Sequence, residues 1–262
     1  FAVFTFSMLN FRNTNIFFLI VLAIFIPFQI KAGLSILWYL LILFLYLSLL
    51  FYGSYYVCSG FFMRVLCKGN TLEKQIAITF DDGPMENYTP QILDILKSFG
   101  VQAAFFCIGE RAKENIQLLK RIHQEGHDIG SHSFSHSFWY DLLPANKMLS
   151  DLQKTHQLVL SELGITLKWF RPPYGVTNPN LRKAVSTMGY STIGWSVRSL
   201  DTVQKDSGKL FGKMKIKLKP GAVYLFHDTS QSTAEMLPMF LEFVKEQEYE
   251  VVSLHKLLHL PD

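Results

Sequence analysis

The feature that most constrains this sequence is an uncharged stretch near its start. From Leu34 to Cys58 the chain runs 25 residues without a charged side chain. A bilayer core about 30 Å thick is crossed by about 20 apolar residues in a helix, so this stretch predicts a membrane span. Tyr52, Tyr55 and Tyr56 lie near its far end, as aromatic residues do at a membrane–water interface.

A shorter apolar stretch, residues 16–30, precedes it. With a tight turn at residues 31–33, the two stretches predict a helical hairpin whose helices cover about residues 16–30 and 34–58. The hairpin lies within a predicted N-terminal membrane segment, residues 1–63. A cleaved signal peptide is the alternative for the first stretch, but no small-residue cleavage site precedes Lys31. We therefore expect the chain to contact membrane lipid.

The orientation of such a hairpin depends on few charges. Two spans place both chain ends on the same side of the membrane. Arg12, Arg64 and Lys68 flank the open end of the hairpin, whereas Lys31 lies in its turn. The positive-inside rule then favours cytoplasmic chain ends. With so few charges, the side of the membrane stays open.

Charge elsewhere excludes one class of partner. All 21 acidic residues, and all basic residues except Arg12 and Lys31, lie beyond residue 63. The net charge of +4 therefore reflects a nearly balanced surface rather than a basic stripe, and we expect no nucleic-acid partner.

The cysteines are an odd number without a C-x-x-C spacing: Cys58, Cys67 and Cys107. Cys58 ends the uncharged stretch, and Cys107 ends a strand-like run. We therefore expect buried or lipid-facing thiols rather than a disulfide framework.

After a linker at residues 64–74, strands and helices alternate through a predicted domain at residues 75–262. The predicted strands cover residues 75–80, 101–108, 127–129, 168–170, 190–197 and 222–226, and the predicted helices cover residues 88–99, 112–125, 146–163, 180–188, 211–218 and 234–248. Thr89 is expected to cap the first of these helices. The alternation is typical of an α/β fold with a parallel sheet, open or closed into a barrel, whose catalytic groups lie at the carboxyl ends of the strands.

Two motifs at predicted strand ends carry metal-binding residue types. Asp81 and Asp82 end the first strand, where one carboxylate could hold a metal and the other a proton, although Asp-Asp-Gly-Pro is also an ordinary turn sequence. His132 and His136 have the i, i+4 spacing that, in a helical turn, would let them share one cation. The same spacing recurs in pairs that we interpret as structural or surface residues, His123/His127 and His255/His259.

Two further strand ends carry groups suited to hydrolysis. In Arg171-Pro172-Pro173-Tyr174 the prolines lack an N–H, so that of Tyr174 is the first free donor and could receive an oxyanion. In Leu225-Phe226-His227 the histidine could give a proton to a leaving group. A stiffened loop and a structural histidine are the alternatives.

In the order D-D, H-x-x-x-H, R-P-P-Y and L-x-H, these four motifs resemble the NodB-type polysaccharide deacetylases, carbohydrate esterase family 4. The resemblance covers roughly residues 75–258, and T-F-D-D-G-P combined with H-x-x-x-H and R-P-P-Y-G is specific. It implies that the part of the chain after the predicted transmembrane hairpin folds as a distorted (β/α) barrel. It also implies that this barrel binds one divalent ion, usually zinc. It also implies metal-dependent hydrolysis of N-acetyl groups from an amino-sugar polymer or oligomer, peptidoglycan or chitin-like, with release of acetate.

The resemblance further implies roles for the matching residues around the metal. Asp82, His132 and His136 would be the metal ligands. Asp81 would be the general base, and Arg171 would pair with it and hold its orientation.

Around the substrate, the resemblance implies that the backbone N–H of Tyr174 stabilises the oxyanion and that Leu225 lines the acetyl pocket. His227 would protonate the departing amine, tuned by Asp201. One motif departs from the family: Thr202 replaces a groove tryptophan, and Arg198 stands where an acid is common. Groove shape and sugar preference are therefore open.

Two other functions are alternatives. The chain could be an inactive relative that binds glycan at the membrane, although the intact acids and histidines argue against this. It could also hydrolyse a non-acetyl C–N bond in a small molecule. A cytoplasmic domain would favour that alternative, because polymeric wall glycan lies outside the cell, whereas a glycan substrate would require an extracytoplasmic domain.

Overall fold

The computed structural model describes residues 9–260. Within them the helices are α1 (Phe11–Ala32), α2 (Ile36–Tyr55), α3 (Thr89–Phe99), α4 (Gly109–Glu114), α5 (Ile116–Gln124), α6 (Ala145–Leu163), α7 (Pro179–Met188), α8 (Ser207–Ile216), α9 (Gln231–Glu246) and α10 (Leu254–Leu258). The strands are β1 (Gln75–Asp81), β2 (Ala104–Cys107), β3 (Asp128–Ser131), β4 (Trp169–Phe170), β5 (Ser191–Thr192), β6 (Val197–Arg198), β7 (Val223–His227) and β8 (Glu250–Val251).

The first two helices form an antiparallel hairpin. Asn10 caps α1 by accepting a hydrogen bond from the Asn13 N–H (2.9 Å), and Gly33 ends it in a left-handed conformation. Between the helices, the Tyr46 hydroxyl donates to Asn15 (2.9 Å). Both helices are long and apolar enough to cross a membrane, and most of their large apolar side chains are exposed. They are two candidate spans, as the sequence predicts.

A parallel sheet follows, in the order β5-β4-β3-β2-β1-β7-β6, with β8 paired to the start of β1. Residues 190–197, predicted as one strand, contribute instead to two short strands at opposite ends of this order, β5 and β6. The chain between them closes the sheet into a distorted (β/α) barrel, which confirms the predicted fold. Leu66 bonds to both sides of this crossing, since its N–H donates to the Thr192 carbonyl (2.9 Å) and its carbonyl accepts from Gly194 (2.8 Å).

Alternation along β1 separates two apolar layers. Ile76, Ile78 and Phe80 are fully buried in the larger cluster, which includes apolar residues of the surrounding helices. Ala77 belongs to a smaller cluster on the opposite face, inside the barrel. Successive strand side chains point to opposite faces, so Asp81 lies on the same side as Ala77. The acid at the end of β1 is therefore directed into the barrel.

Some local predictions are wrong. The helix predicted over residues 112–125 is interrupted at Asn115, whose φ of −119° and ψ of 48° are not helical. Thr89 does not cap α3 but is its first residue, and its hydroxyl donates to the buried Asp228 carboxylate (2.7 Å). That tertiary contact takes the hydroxyl away from the cap. β8 and α10 were not predicted, because such short elements carry no periodic signal.

The prediction of free cysteines is wrong for two of the three. Cys58 and Cys67 form a disulfide with their Cα atoms 6.0 Å apart, whereas Cys107 is free and buried. Helix α2 ends at Tyr55, before Cys58, and the chain then turns back so that Leu66 lies beside β5. This reversal brings the two cysteines together. Composition and spacing cannot show it, because it depends on hydrogen bonds to a strand distant in sequence.

Candidate metal and catalytic site

The end of β1 places two carboxylates differently. Asp81 is the last residue of the strand and is 2% exposed. Asp82 has a φ of 78°, which takes it out of the strand alternation. One of its carboxylate oxygens, Oδ1, lies 3.6 Å from His132 Nε2 and 3.5 Å from His136 Nε2. The carbonyl of Asp82 accepts a hydrogen bond from Arg111 (2.8 Å), which holds this turn.

The two histidines converge from a loop rather than from the predicted helical turn. β3 ends at Ser131, and His136 has a φ of 43°, so no helix forms. The Ser133 hydroxyl accepts a hydrogen bond from the His136 N–H (2.9 Å). Asp151 of α6 accepts from the N–H groups of Phe134 (2.7 Å) and the next residue, and sequence patterns carried no signal for it. The loop is therefore stabilised by side-chain caps.

The donor atoms fit a divalent metal ion. One ligand atom from each of Asp82, His132 and His136 lies within 4.8 Å of the other two. His132 Nδ1 is 2.8 Å from the Arg171 carbonyl, which can only accept a hydrogen bond, so Nδ1 carries the proton and Nε2 keeps its lone pair. Burial, and then the neighbouring His132, lower the pKa of His136 to about 4. Both imidazoles can thus be neutral ligands, in a set of three that leaves positions open.

Asp81 pairs with a fully buried arginine. The Arg171 guanidinium donates to Asp81 Oδ1 (2.6 Å), to the Thr79 hydroxyl (2.7 Å) and to the Gly194 carbonyl (2.9 Å). Its central carbon lies 4.1 Å from the centroid of the Phe106 ring. Burial lowers the pKa of Arg171 from its ordinary value, while the charge and hydrogen bond of Asp81 oppose that change. The other Asp81 oxygen is 3.9 Å from His132 Nε2, so this carboxylate lies beside the candidate metal ligands.

His227, the last residue of β7, pairs with the buried Asp201. His227 Nδ1 lies 2.7 Å from Asp201 Oδ1, and the backbone N–H of His227 donates to Oδ2 (2.7 Å). Ser199 donates to the same carboxylate (2.8 Å), and Thr233 donates to it as well. The sequence did not identify Ser199 and Thr233 as part of the site. Together these donors hold Asp201 ionised and aimed at the imidazole.

The environment of His227 favours its protonated form. Burial lowers its pKa, but the hydrogen bond and charge of Asp201, with the charges of Asp81 and Asp82, outweigh burial and raise the pKa to about 9. His227 is therefore protonated at neutral pH and can serve as a proton donor.

The proline-rich loop presents Tyr174 to the site. Tyr174 has a φ of 57°, its ring centroid lies 4.7 Å from that of His136, and the side chain is 45% exposed. Its backbone N–H finds no hydrogen-bond acceptor among residues 9–260. The loop packs on Trp195, because a Cβ at Gly175 would lie 2.5 Å from the indole ring. A free donor is thus held on a loop with little room to shift.

One cavity of about 210 Å³ unites the site. Of the nine residues singled out from the sequence, seven line it: Asp81, Asp82, His132, His136, Tyr174, Leu225 and His227. Arg171 and Asp201 are fully buried behind Asp81 and His227, respectively. The two residues of the departed motif, Arg198 and Thr202, also line the cavity, as does Trp195, to which the sequence assigned no role.

A family model described as "Polysaccharide deacetylase" matches residues 68–193. The peptidoglycan-N-acetylmuramic acid deacetylase PdaA of Bacillus subtilis is 37% identical over 196 residues, which cover 72% of this chain and 73% of PdaA. The solved structure of Bacillus subtilis PdaA, a family 4 carbohydrate esterase, superposes with a TM-score of 0.68 at 36% identity, covering 74% of this chain and 84% of that one.

Two further relatives differ in length or activity. The peptidoglycan-N-acetylglucosamine deacetylase PgdA of Listeria monocytogenes is 35% identical over 184 residues, which are 70% of this chain but 39% of PgdA. This chain therefore matches well under half the length of that relative. A CE4 family pseudoenzyme from Bacillus anthracis superposes with a TM-score of 0.68 at 30% identity, covering 73% of this chain and 67% of that one.

Proposed function

We propose, because the chain belongs to the polysaccharide deacetylase family, that it is a metal-dependent enzyme that hydrolyses the N-acetyl groups of peptidoglycan amino sugars and releases acetate. The observation that carries this proposal is the convergence of Asp82, His132 and His136 beside the buried pair of Asp81 and Arg171. The substrates in the names of two relatives, the N-acetylmuramic acid and N-acetylglucosamine of peptidoglycan, support the substrate class.

The metal ligands in this proposal are Asp82, His132 and His136, and the ion is zinc, which favours two imidazoles with one carboxylate and an open position. When bound, the ion supplies Lewis-acid polarisation of the acetyl carbonyl and a more acidic water. Asp81 takes the proton of the attacking water. Its ion pair with Arg171 keeps its charge and orientation through the reaction.

Different residues that line the cavity act on the acyl and the amine halves of the substrate. The backbone N–H of Tyr174 donates to the developing oxyanion, and Leu225 lines the acetyl pocket. As the C–N bond breaks, His227 gives its Nε2 proton to the nitrogen, so that a neutral amine leaves. Asp201 stabilises the imidazolium before this transfer. Acetate and the free amino sugar are the products.

An unpaired cation at the cavity supports a finer substrate assignment. Arg198 is exposed, lies with its guanidinium carbon 5.7 Å from the Trp195 ring centroid, and has no ion pair within the described part of the chain. An N-acetylmuramic acid residue carries a lactyl carboxylate that N-acetylglucosamine lacks. We propose that Arg198 binds this carboxylate, which makes the muramic acid residue the preferred position.

The hairpin and the disulfide support an extracytoplasmic enzyme held at the membrane. α1 and α2 would span the bilayer, since lipid would cover their exposed apolar surfaces. Disulfides persist in oxidising compartments and are rare in the cytosol. The Cys58–Cys67 disulfide therefore favours the outer side, against the small excess of basic residues at the hairpin ends. This side also gives access to wall glycan.

The other two functions make different predictions. An inactive glycan-binding relative would release no acetate, and the Bacillus anthracis structure shows that the CE4 family includes a pseudoenzyme. A hydrolase of small molecules would act on cyclic amides but not on polymer. Here Asp81, Asp82, His132, His136 and His227 are all present around one cavity, which favours catalysis.

The test is a substrate panel for the full chain in detergent. We expect acetate release from peptidoglycan, abolition by a chelator and recovery with zinc. N-acetylglucosamine oligomers and small cyclic amides complete the panel, and activity on the amides alone would overturn the proposal. For Arg198→Gln we expect kcat/KM on muramic acid substrates to fall about fivefold, as for an exposed ion pair, with no change on N-acetylglucosamine oligomers. An equal effect on both substrates would refute the carboxylate contact.

A further inference from the structure

A second cavity lies away from the catalytic one and is lined by three arginines. Its volume is about 440 Å³, and Arg12 of α1, Arg64 and Arg182 of α7 all line it. The lining described for it contains no acidic residue, and none of the three arginines has an ion pair within residues 9–260. It shares no lining residue with the catalytic cavity. Three uncompensated positive charges around one space indicate an anionic ligand.

The groove continues along α7. An adjoining cavity of about 520 Å³ shares Phe11, Phe62 and Arg182 with the first and adds Lys183. The Phe11 and Phe62 rings lie 5.2 Å apart between centroids, so an apolar wall stands beside the basic one. The combination of charge and apolar surface suits an amphiphile better than a free ion.

The cavity is located where the hairpin joins the barrel. The Phe11 N–H donates to the Phe61 carbonyl (2.9 Å) at the start of α1. At the end of α2, Thr177 donates to the carbonyls of Gly53 (3.0 Å) and Ser54 (3.1 Å). The start of α1 is thus bonded to the segment that follows α2, and the end of α2 is bonded to the barrel domain just before α7. With the helices in a bilayer, this junction lies at the headgroup level.

We propose that this arginine cavity, defined by Arg12, Arg64 and Arg182, binds the phosphate of an anionic phospholipid headgroup, with the adjoining Phe11 and Phe62 wall against its apolar part. Guanidinium groups bind phosphate oxygens in a bidentate manner, and basic pockets at the membrane surface recognise anionic lipids. Lipid bound there would fix the height and tilt of the barrel above the membrane. The inference rests on the proposed membrane anchor and not on the deacetylase activity.

The test measures the unfolding temperature of the full chain in an uncharged detergent. Mixed micelles with phosphatidylglycerol are compared with phosphatidylcholine, which has no net charge, and with inorganic phosphate. We expect phosphatidylglycerol to raise the unfolding temperature of the wild type. In Arg12→Gln/Arg182→Gln, the phosphatidylglycerol concentration for half of that rise should increase at least about tenfold. The control Lys213→Gln/Lys217→Gln, which removes two exposed charges of the α8 region, should respond as the wild type does.

Several results would overturn the site. An equal response to phosphatidylcholine, or an unchanged response in the arginine variant, would refute recognition of the anionic headgroup. A response to inorganic phosphate as large as that to phosphatidylglycerol would assign the cavity to free phosphate. Flotation with phosphatidylcholine vesicles separates this proposal from the anchor. A chain that floats but shows no preference for phosphatidylglycerol in the unfolding assay refutes only the arginine site, whereas a chain that does not float refutes the anchor and the site with it.

Discussion

Removal of the charge of Asp201 tests how the site prepares His227 to donate a proton. Asp201→Asn keeps the size of the side chain but removes the negative charge 2.7 Å from His227 Nδ1. Burial of the imidazole, which acts to lower its pKa, remains. The pKa of His227 is therefore expected to fall from about 9 to its ordinary value of 6.5 or below.

The effect on activity follows from the protonated fraction. At pH 8 a group with a pKa of about 9 is about 90% protonated, whereas one with a pKa of 6.5 is about 3% protonated. If His227 must be protonated to release the amine, kcat/KM at pH 8 falls roughly 30-fold and its alkaline limb moves down by about 2.5 pH units. A cation at Asp82 would lower the pKa of His227 in both the wild type and Asp201→Asn. The difference in this pKa between the two proteins is therefore retained.

The assay is acetate release between pH 5 and pH 10 for zinc-loaded wild type, Asp201→Asn and Glu246→Gln. Glu246 is an exposed acid on α9 and serves as the charge-matched control. Circular dichroism melting of each protein checks that it is folded. If the alkaline limb of the kcat/KM profile of Asp201→Asn lies at the same pH as that of the wild type, the proposed tuning of His227 is refuted. A loss that is equal at pH 6 and pH 8 would also refute it, because it would indicate positioning rather than proton supply.

Three further changes test other parts of the structure. Asp81→Asn leaves the three metal ligands intact, so metal analysis should find the ion still bound while acetate release falls about 10²- to 10⁴-fold; normal turnover would contradict the role of the base. Arg171→Met leaves the buried Asp81 carboxylate without its partner, and urea denaturation should show a loss of about 3–5 kcal/mol in the free energy of unfolding; a loss below about 1 kcal/mol would refute the buried ion pair. Cys58→Ser with Cys67→Ser removes a disulfide between residues nine positions apart. Under oxidising conditions the free energy of unfolding of this variant should lie about 2.7 kcal/mol below that of the wild type, and in reductant the two should be equal.

The fold class could be predicted because the sequence carries its periodicity locally. Ile76, Ile78 and Phe80 alternate with smaller or polar residues, and that pattern alone identifies β1 as a strand with two different faces. The predictions failed where a contact from elsewhere decided the local conformation. His132 and His136 were expected in a helical turn, but Asp151, on the following helix, caps the loop that carries them. The imidazoles converge all the same, because β3 pairs with β2 and β2 pairs with β1, so these parallel strands end at one edge of the sheet.

By itself, the sequence determined which residue types stand at the ends of successive parallel strands, and the sheet then brings those ends to one edge. It also determined the length and apolarity of the hairpin, since both are properties of consecutive residues. Only the tertiary structure decided that Arg171 is fully buried, that Cys58 joins Cys67, and that Arg12, Arg64 and Arg182 meet around one cavity. Each of these depends on residues that are brought together when the barrel closes and the hairpin docks on it. The packing energy that drives those steps comes from the whole core, so no local sequence pattern predicts it.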